Sequence, residues 1–249
     1  MDDKDKIAEA VDAYLRRTGY ASIDLRCALF DMDGVLFDSM PRHAASWVRV
    51  MADNGIEFTE EDAYMNEGRT GASTIRMAME RCGRQMASDE EIKRIYAGKC
   101  DLFNAMGETR TIAGADKVAQ AMRSMGLALS IVTGSAQQSL LQRIETAYPG
   151  LFDLDKIVTA LDVRHGKPDP EPYIMGQKKM GASPWQTLVV ENAPLGVEAA
   201  NASGAFTVAI NTGPLDDKVL IDSGADLLFG TMDEFRAALP ELTRLTKTK

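Results

Sequence analysis

Residues 4–17 carry Ile7, Val11, Ala13, Tyr14 and Leu15 among charges at helical spacing. This predicts an amphipathic helix, an appendage packed loosely on the rest of the chain. From Ile23 to Phe30 the chain becomes almost continuously apolar and stops at Asp31, the pattern of a strand buried on both faces of a parallel sheet. Helical periodicity then returns in Ala44–Asn54, Ala72–Cys82 and Asp89–Met106, with no strand-like run between Asp38 and Glu108. Beyond it, helical and strand-like segments alternate. The helices are Ala115–Met125, Ala136–Ala147, Glu171–Met180, Leu195–Ser203 and Met232–Leu239; the strands are Leu127–Val132, Ile157–Thr159, Thr187–Val190, Phe206–Ile210 and Asp226–Leu228. Alternation of this kind predicts an α/β fold: a doubly wound, Rossmann-like parallel sheet whose functional groups collect beyond the carboxyl ends of its strands. The expected organisation is a helical extension over residues 1–19, a core over 20–37 and 109–249, and an all-helical insert over 38–108.

Composition narrows the classes. Of 249 residues, 45% are apolar and 26% charged, ordinary for a soluble globular chain, and no apolar run approaches the roughly 20 residues of a membrane span. A net charge of -9 without a dense Lys/Arg run argues against nucleic acid as a partner. It also requires any phosphate site to concentrate its cations locally. Cys27, Cys82 and Cys100 are widely spaced and form no Cys-x-x-Cys pair, which suggests neither a disulfide framework nor a zinc site. With an acidic N-terminus unlike a secretory leader, they fit a reducing cytoplasm. Nothing in the pattern specifies an oligomeric state.

Four short segments carry candidate chemistry, each after a predicted strand. Asp31-Met32-Asp33-Gly34 places two carboxylates two residues apart, where they would point to opposite faces unless the backbone turns; Gly34 permits that turn. Clustered carboxylates call for a hard cation such as magnesium, although Asp after a strand is also an ordinary turn residue. Thr133-Gly134-Ser135 precedes a helix and offers hydroxyls and amides to a phosphate oxygen, or simply a helix cap at Ser135. Gly166-Lys167-Pro168-Asp169-Pro170 holds one lysine in a stiffened loop, as a fixed counter-charge or a solvated one. Glu191-Asn192 offers a carboxylate and an amide as oxygen ligands, or another cap.

In their order along the chain, these segments resemble the four motifs of the haloacid dehalogenase-like superfamily of phosphohydrolases, from about Ile23 to Leu239. The resemblance implies that Asp31 attacks phosphorus to form an aspartyl-phosphate, and that Asp33 protonates the leaving group and then activates water. It implies that Thr133, with Gly134 and Ser135, and Lys167 hold the phosphoryl oxygens. Asp31, the Asp33 carbonyl, Glu191 and Asn192 would coordinate or support Mg2+. Many relatives carry Asp where this chain has Asn192, which removes one charge from the metal set. The dehalogenase branch, which lacks an acid at the position of Asp33, is not expected.

The helical insert resembles the cap of the beta-phosphoglucomutase-like subgroup, with His43, Lys99 and Arg69 as its substrate-facing candidates. Gly71 stands where mutases carry a second basic residue, and Ala136 where they carry a lysine. These losses favour a phosphatase acting on small phosphate esters, sugar phosphates first, over a beta-phosphoglucomutase. A third reading is a catalytically weak phosphate-binding protein.

Overall fold

The computed structural model describes residues 3–85, 87–135 and 138–246, with 138–142 described by backbone alone. It opens with helix α1 (Asp3–Thr18), followed by strand β1 (Cys27–Phe30). Four helices come next: α2 (Met40–Asp53), α3 (Glu60–Met65), α4 (Gly71–Arg81) and α5 (Asp89–Ala105). The chain then alternates through α6 (Ala115–Ser124), β2 (Ala128–Ile131), α7 (Gln138–Ala147), α8 (Glu171–Met180), β3 (Thr187–Glu191) and α9 (Pro194–Ala202). It ends with β4 (Phe206–Ile210), α10 (Asp217–Asp222), β5 (Leu227–Phe229) and α11 (Met232–Thr246).

The five strands form one parallel sheet in the order β2-β1-β3-β4-β5, with the register Phe30↔Ile131 and Phe30↔Val190 at its centre. This is the doubly wound α/β architecture expected from the alternation. Every residue of β1, β3 and β4 is buried, which is why these strands read as mostly apolar runs. The expected strand Ile157–Thr159 is reduced to a single bridge between Val132 and Val158. A short 3-10 turn over Leu154–Lys156 delivers the chain to that point, so only Val158 reaches the ladder.

Helices α2–α5 enclose an apolar cluster of their own, including Met51, Ile56, Phe58, Ile75, Ile92 and Ile95. The chain leaves the sheet at Asp38 and returns beside it: the Asp38 amide donates to the Arg110 carbonyl at 2.9 Å, and Phe37 bridges Thr111. Their starts follow ordinary capping rules. Thr59 and Asp62 form a capping box on α3, Thr70 caps α4, and Ser88 caps α5 ahead of Asp89, Glu90 and Glu91.

Helix α1 is not loosely attached, contrary to the expectation from its sequence. Ile7, Val11 and Tyr14 are buried in the main core, the Tyr14 hydroxyl donates to the Gly204 carbonyl at 3.0 Å, and its ring meets Phe206 edge-on. Lys6 donates to the Leu228 carbonyl on edge strand β5, so the helix also covers part of an otherwise open sheet edge. No helix among the described residues is long and apolar enough to cross a membrane.

Candidate active site

Strand β1 delivers Asp31 to the carboxyl edge of the sheet, where its amide donates to the Val190 carbonyl at 2.9 Å. The backbone then turns sharply: the Leu36 and Phe37 amides both donate to the Met32 carbonyl, and the Gly34 amide donates to the Phe37 carbonyl at 2.7 Å. Gly34 sits at φ 77°, in the left-handed region, and a Cβ there would lie 2.1 Å from the Asn192 amide nitrogen. Both reasons call for glycine. The turn brings Asp31 and Asp33 to one cavity instead of opposite faces.

Lys167 is buried against Asp31 on one side, at 2.5 Å, and Glu191 on the other, at 2.6 Å, with the Val132 carbonyl at 3.2 Å. Burial opposes its charge, but Asp31 and Glu191 together hold it protonated well above the ordinary lysine range. Burial pushes the Asp31 carboxyl up to about 8; Lys167 pulls against this, while the negative charges of Glu191 and Asp33 add to it. Both Glu191 oxygens are already engaged. One accepts from Lys167 and from the Tyr173 hydroxyl at 2.6 Å, the other from the Asn192 and Ala193 amides at 2.9 and 3.2 Å. Close packing of Gly196 against this carboxylate leaves no room for a Cβ.

Asp33 is held from the insert side. One of its oxygens accepts from the Ser39 hydroxyl at 2.5 Å and lies 3.1 Å from His43 Nε2. Burial raises its carboxyl, but His43, Ser39 and Lys99 outweigh it and the net shift is downward. His43 Nδ1 lies 2.5 Å from Lys99 Nζ, and that ammonium sits over the faces of Trp47 and Phe103 at 5.4 and 5.1 Å. Burial lowers Lys99 to about 8, against the pull of Asp33, and burial followed by the Lys99 charge lowers His43. A protonated Lys99 can only donate, so His43 accepts at Nδ1 and carries its proton at Nε2, facing Asp33.

Thr133, buried after β2, accepts the Ser135 amide on its hydroxyl at 3.0 Å; Thr133, Gly134 and Ser135 line the cavity together. Arg69 also lines it, steadied by Asn66 at 3.0 Å. The structure thus gathers Asp31, Asp33, Thr133, Gly134, Ser135, Arg69, His43 and Lys99 around a space of ≈ 60 Å³, with Lys167, Glu191 and Asn192 directly behind Asp31 and the Gly34 turn. Ala136 lies outside the described residues.

Two features were not singled out in the sequence. Glu67, near the start of the loop after α3, is buried and accepts from Asn192 Nδ2 at 2.9 Å, across 125 residues of chain. Ionised, Glu67 only accepts, so this contact orients the amide and leaves Asn192 Oδ1 buried without a hydrogen-bond partner among the described residues. Burial, with Asp31 next in size, raises Glu67 well above the ordinary carboxyl range. The second feature is Tyr96, whose ring lies 2.2 Å from where a Gly71 Cβ would stand. Tyr96 therefore fills the space beside the position where a second basic residue would be expected.

The fold and site define an α/β enzyme with clustered carboxylates and a lysine at the carboxyl edge of a parallel sheet, roofed by inserted helices. A family model described as haloacid dehalogenase-like hydrolase matches residues 25–204. The chain belongs to that family. Validoxylamine A 7'-phosphate phosphatase of Streptomyces hygroscopicus subsp. limoneus is 31% identical over 219 residues, covering 85% of this chain and 96% of the relative. Hexitol phosphatase A of Escherichia coli (strain K12) is 28% identical over 214 residues, covering 84% and 94%. Among solved structures, a Bacteroides vulgatus chain provisionally described as a beta-phosphoglucomutase superposes with a TM-score of 0.94 at 48% identity, covering 98% of this chain and 100% of that one.

Proposed function

We propose that this enzyme is a magnesium-dependent phosphohydrolase of small phosphate esters, sugar phosphates among them, working through an aspartyl-phosphate on Asp31. The observation that carries the reading is the opposition of two sets of charges in one cavity. Asp31 is backed by Lys167 and Glu191, and Asp33 faces it under Ser39 and His43.

In the first step an Asp31 oxygen bonds to phosphorus as the bond to the ester oxygen breaks. The departing oxygen keeps the electron pair and takes a proton from Asp33, which must gain that proton on forming the substrate complex because His43, Ser39 and Lys99 keep the free carboxyl ionised. In the second, water loses a proton to the Asp33 carboxylate and attacks the same phosphorus, releasing inorganic phosphate and restoring Asp31. Lys167, with Thr133 and the amides of its turn, offsets charge on the phosphoryl oxygens. Glu191 positions Lys167 and the Asn192 turn.

The donor set suits a hard cation: Asp31, the Asp33 carbonyl and Asn192 Oδ1 are oxygen donors, and the Glu67 carboxyl stands beside them, where a bound cation would favour its ionised form. Bound there, magnesium supplies neutralisation of charge on the transferring group. Residues 38–108 serve as the cap that excludes water from this chemistry.

A panel of phosphate esters running from hexose phosphates to glycerol phosphate, with wild type and Asp31→Asn, tests this reading. Magnesium-dependent phosphate release that is abolished in the variant is the expected result. Full activity in Asp31→Asn would overturn the mechanism.

A mutase remains the second reading, favoured by the Bacteroides vulgatus neighbour. Tyr96 packed on Gly71 argues against it, because a bisphosphate needs a second anion site. Conversion of beta-glucose 1-phosphate to glucose 6-phosphate without net phosphate release would establish it.

A further inference from the structure

The insert meets the core along a seam of glycines. On the core side stand Gly134 and Gly166; on the insert side runs the loop Gly68-Arg69-Thr70. A Cβ on Gly134 would lie 2.2 Å from the Gly68 carbonyl oxygen. One on Gly166 would lie 2.7 Å from Thr70 Cγ2 and 3.2 Å from the Thr70 amide nitrogen, and its three nearest neighbours would all be Thr70 atoms. Neither glycine lies in the left-handed region, so backbone conformation does not require them. What requires them is the closeness of the insert.

That closeness sets the contacts between insert and core. Glu67 to Asn192 spans it at 2.9 Å, and His43 to Asp33 spans it at 3.1 Å. Both are ordinary hydrogen-bond lengths in the closed arrangement, and lifting the loop by the width of a methyl group carries the first out of that range and loosens the second.

We infer that Gly166 is a positioning residue that acts through Thr70: its missing side chain sets how far the insert descends, and so whether Glu67 and His43 reach Asn192 and Asp33. The inference rests on reading the site as a capped phosphohydrolase. It adds that an alanine at 166 is tolerated by the fold and resisted only by the closed arrangement.

Gly134 belongs to the candidate phosphate loop, so Gly166 is the cleaner position to change. The experiment compares wild type, Gly166→Ala, Thr70→Ser and the double variant Gly166→Ala/Thr70→Ser. Serine keeps the hydroxyl that caps α4, which accepts the Ser73 amide, and removes only Cγ2, the atom in closest conflict.

In the wild-type background Gly166→Ala is expected to lower kcat/KM for the best ester by about 10- to 100-fold without lowering Tm. In the Thr70→Ser background the same change is expected to cost no more than about threefold, because the remaining conflict yields to a small shift. Equal losses in the two backgrounds would mean that the methyl disturbs Lys167 locally, and no loss in either would mean that the seam does not govern closure; each overturns the inference.

Small-angle scattering with magnesium and orthovanadate gives a readout independent of turnover. Wild type and the double variant should contract, while Gly166→Ala stays expanded. If wild type hydrolyses no ester, the functional reading fails, and scattering still decides the seam.

Discussion

Lys99 is a buried ammonium held by an imidazole and two aromatic faces, with no carboxylate in direct contact among the described residues. Its lowered value, about 8 against an ordinary 10.5, means that the charge is lost early as pH rises. If that charge fixes the His43 proton on Nε2, kcat/KM falls above pH of about 8, and Lys99→Arg, whose guanidinium stays charged, moves this limb upward. A pH–rate profile of the two proteins checks this; superimposable basic limbs would contradict it. The sign for stability is opposite. Between about 8 and 10.5 the unfolded chain binds a proton that the folded one has lost, so folding stability rises with pH across that window. Glu67 supports a second residue-scale expectation. Glu67→Gln keeps an acceptor for Asn192 but removes the charge, so half-saturation by magnesium should rise about 10- to 100-fold. Magnesium titrations of activity and of Tm measure it, and an unchanged midpoint would remove Glu67 from the metal's surroundings.

At the scale of elements, the turn between β1 and α2 does the work of aiming both carboxylates. Gly34→Ala meets a positive φ and the Asn192 amide at once, so phosphate release should fall about 100-fold or more while far-UV circular dichroism stays that of the wild type. Retained activity would show that the turn tolerates a side chain. Helix α1 offers a stability test remote from the site. Tyr14→Ala removes a buried ring and its hydrogen bond to Gly204, and should cost about 3 kcal/mol in urea unfolding; a loss under about 1 kcal/mol would restore the picture of a loose appendage.

Much at this scale was legible because buried parallel strands leave continuous apolar runs and their chemistry follows at the carboxyl ends, as at Asp31 and Glu191. Ile157–Thr159 was overread because a β-branched trio looks the same whether it makes a ladder or one bridge. The short helices α3 and α10, six residues each, escaped because they are too brief to show periodicity. The depth at which α1 packs depends on Gly204 and Phe206, which its own pattern does not contain.

Across the whole molecule, the site is assembled from both sides of one seam. The core supplies Asp31, Asp33, Thr133, Lys167, Glu191 and Asn192; the insert supplies His43, Glu67, Arg69 and Lys99. The core half could be read from motif order alone. Glu67 could not, since its partner lies 125 residues away and only the folded seam brings them together. Nor could Tyr96, which matters because Gly71 leaves it room.

The central claim is that Asp31 becomes covalently phosphorylated, and trapping that adduct tests it most directly. In Asp33→Asn, p-nitrophenyl phosphate can still transfer its phosphoryl group, because nitrophenolate leaves without a proton, whereas hydrolysis lacks its base. Acid quenching after brief exposure with magnesium, followed by peptide mass spectrometry, should place a phosphoryl group on Asp31. Stoichiometric phosphate release with no adduct, or an adduct on another residue, would contradict the account.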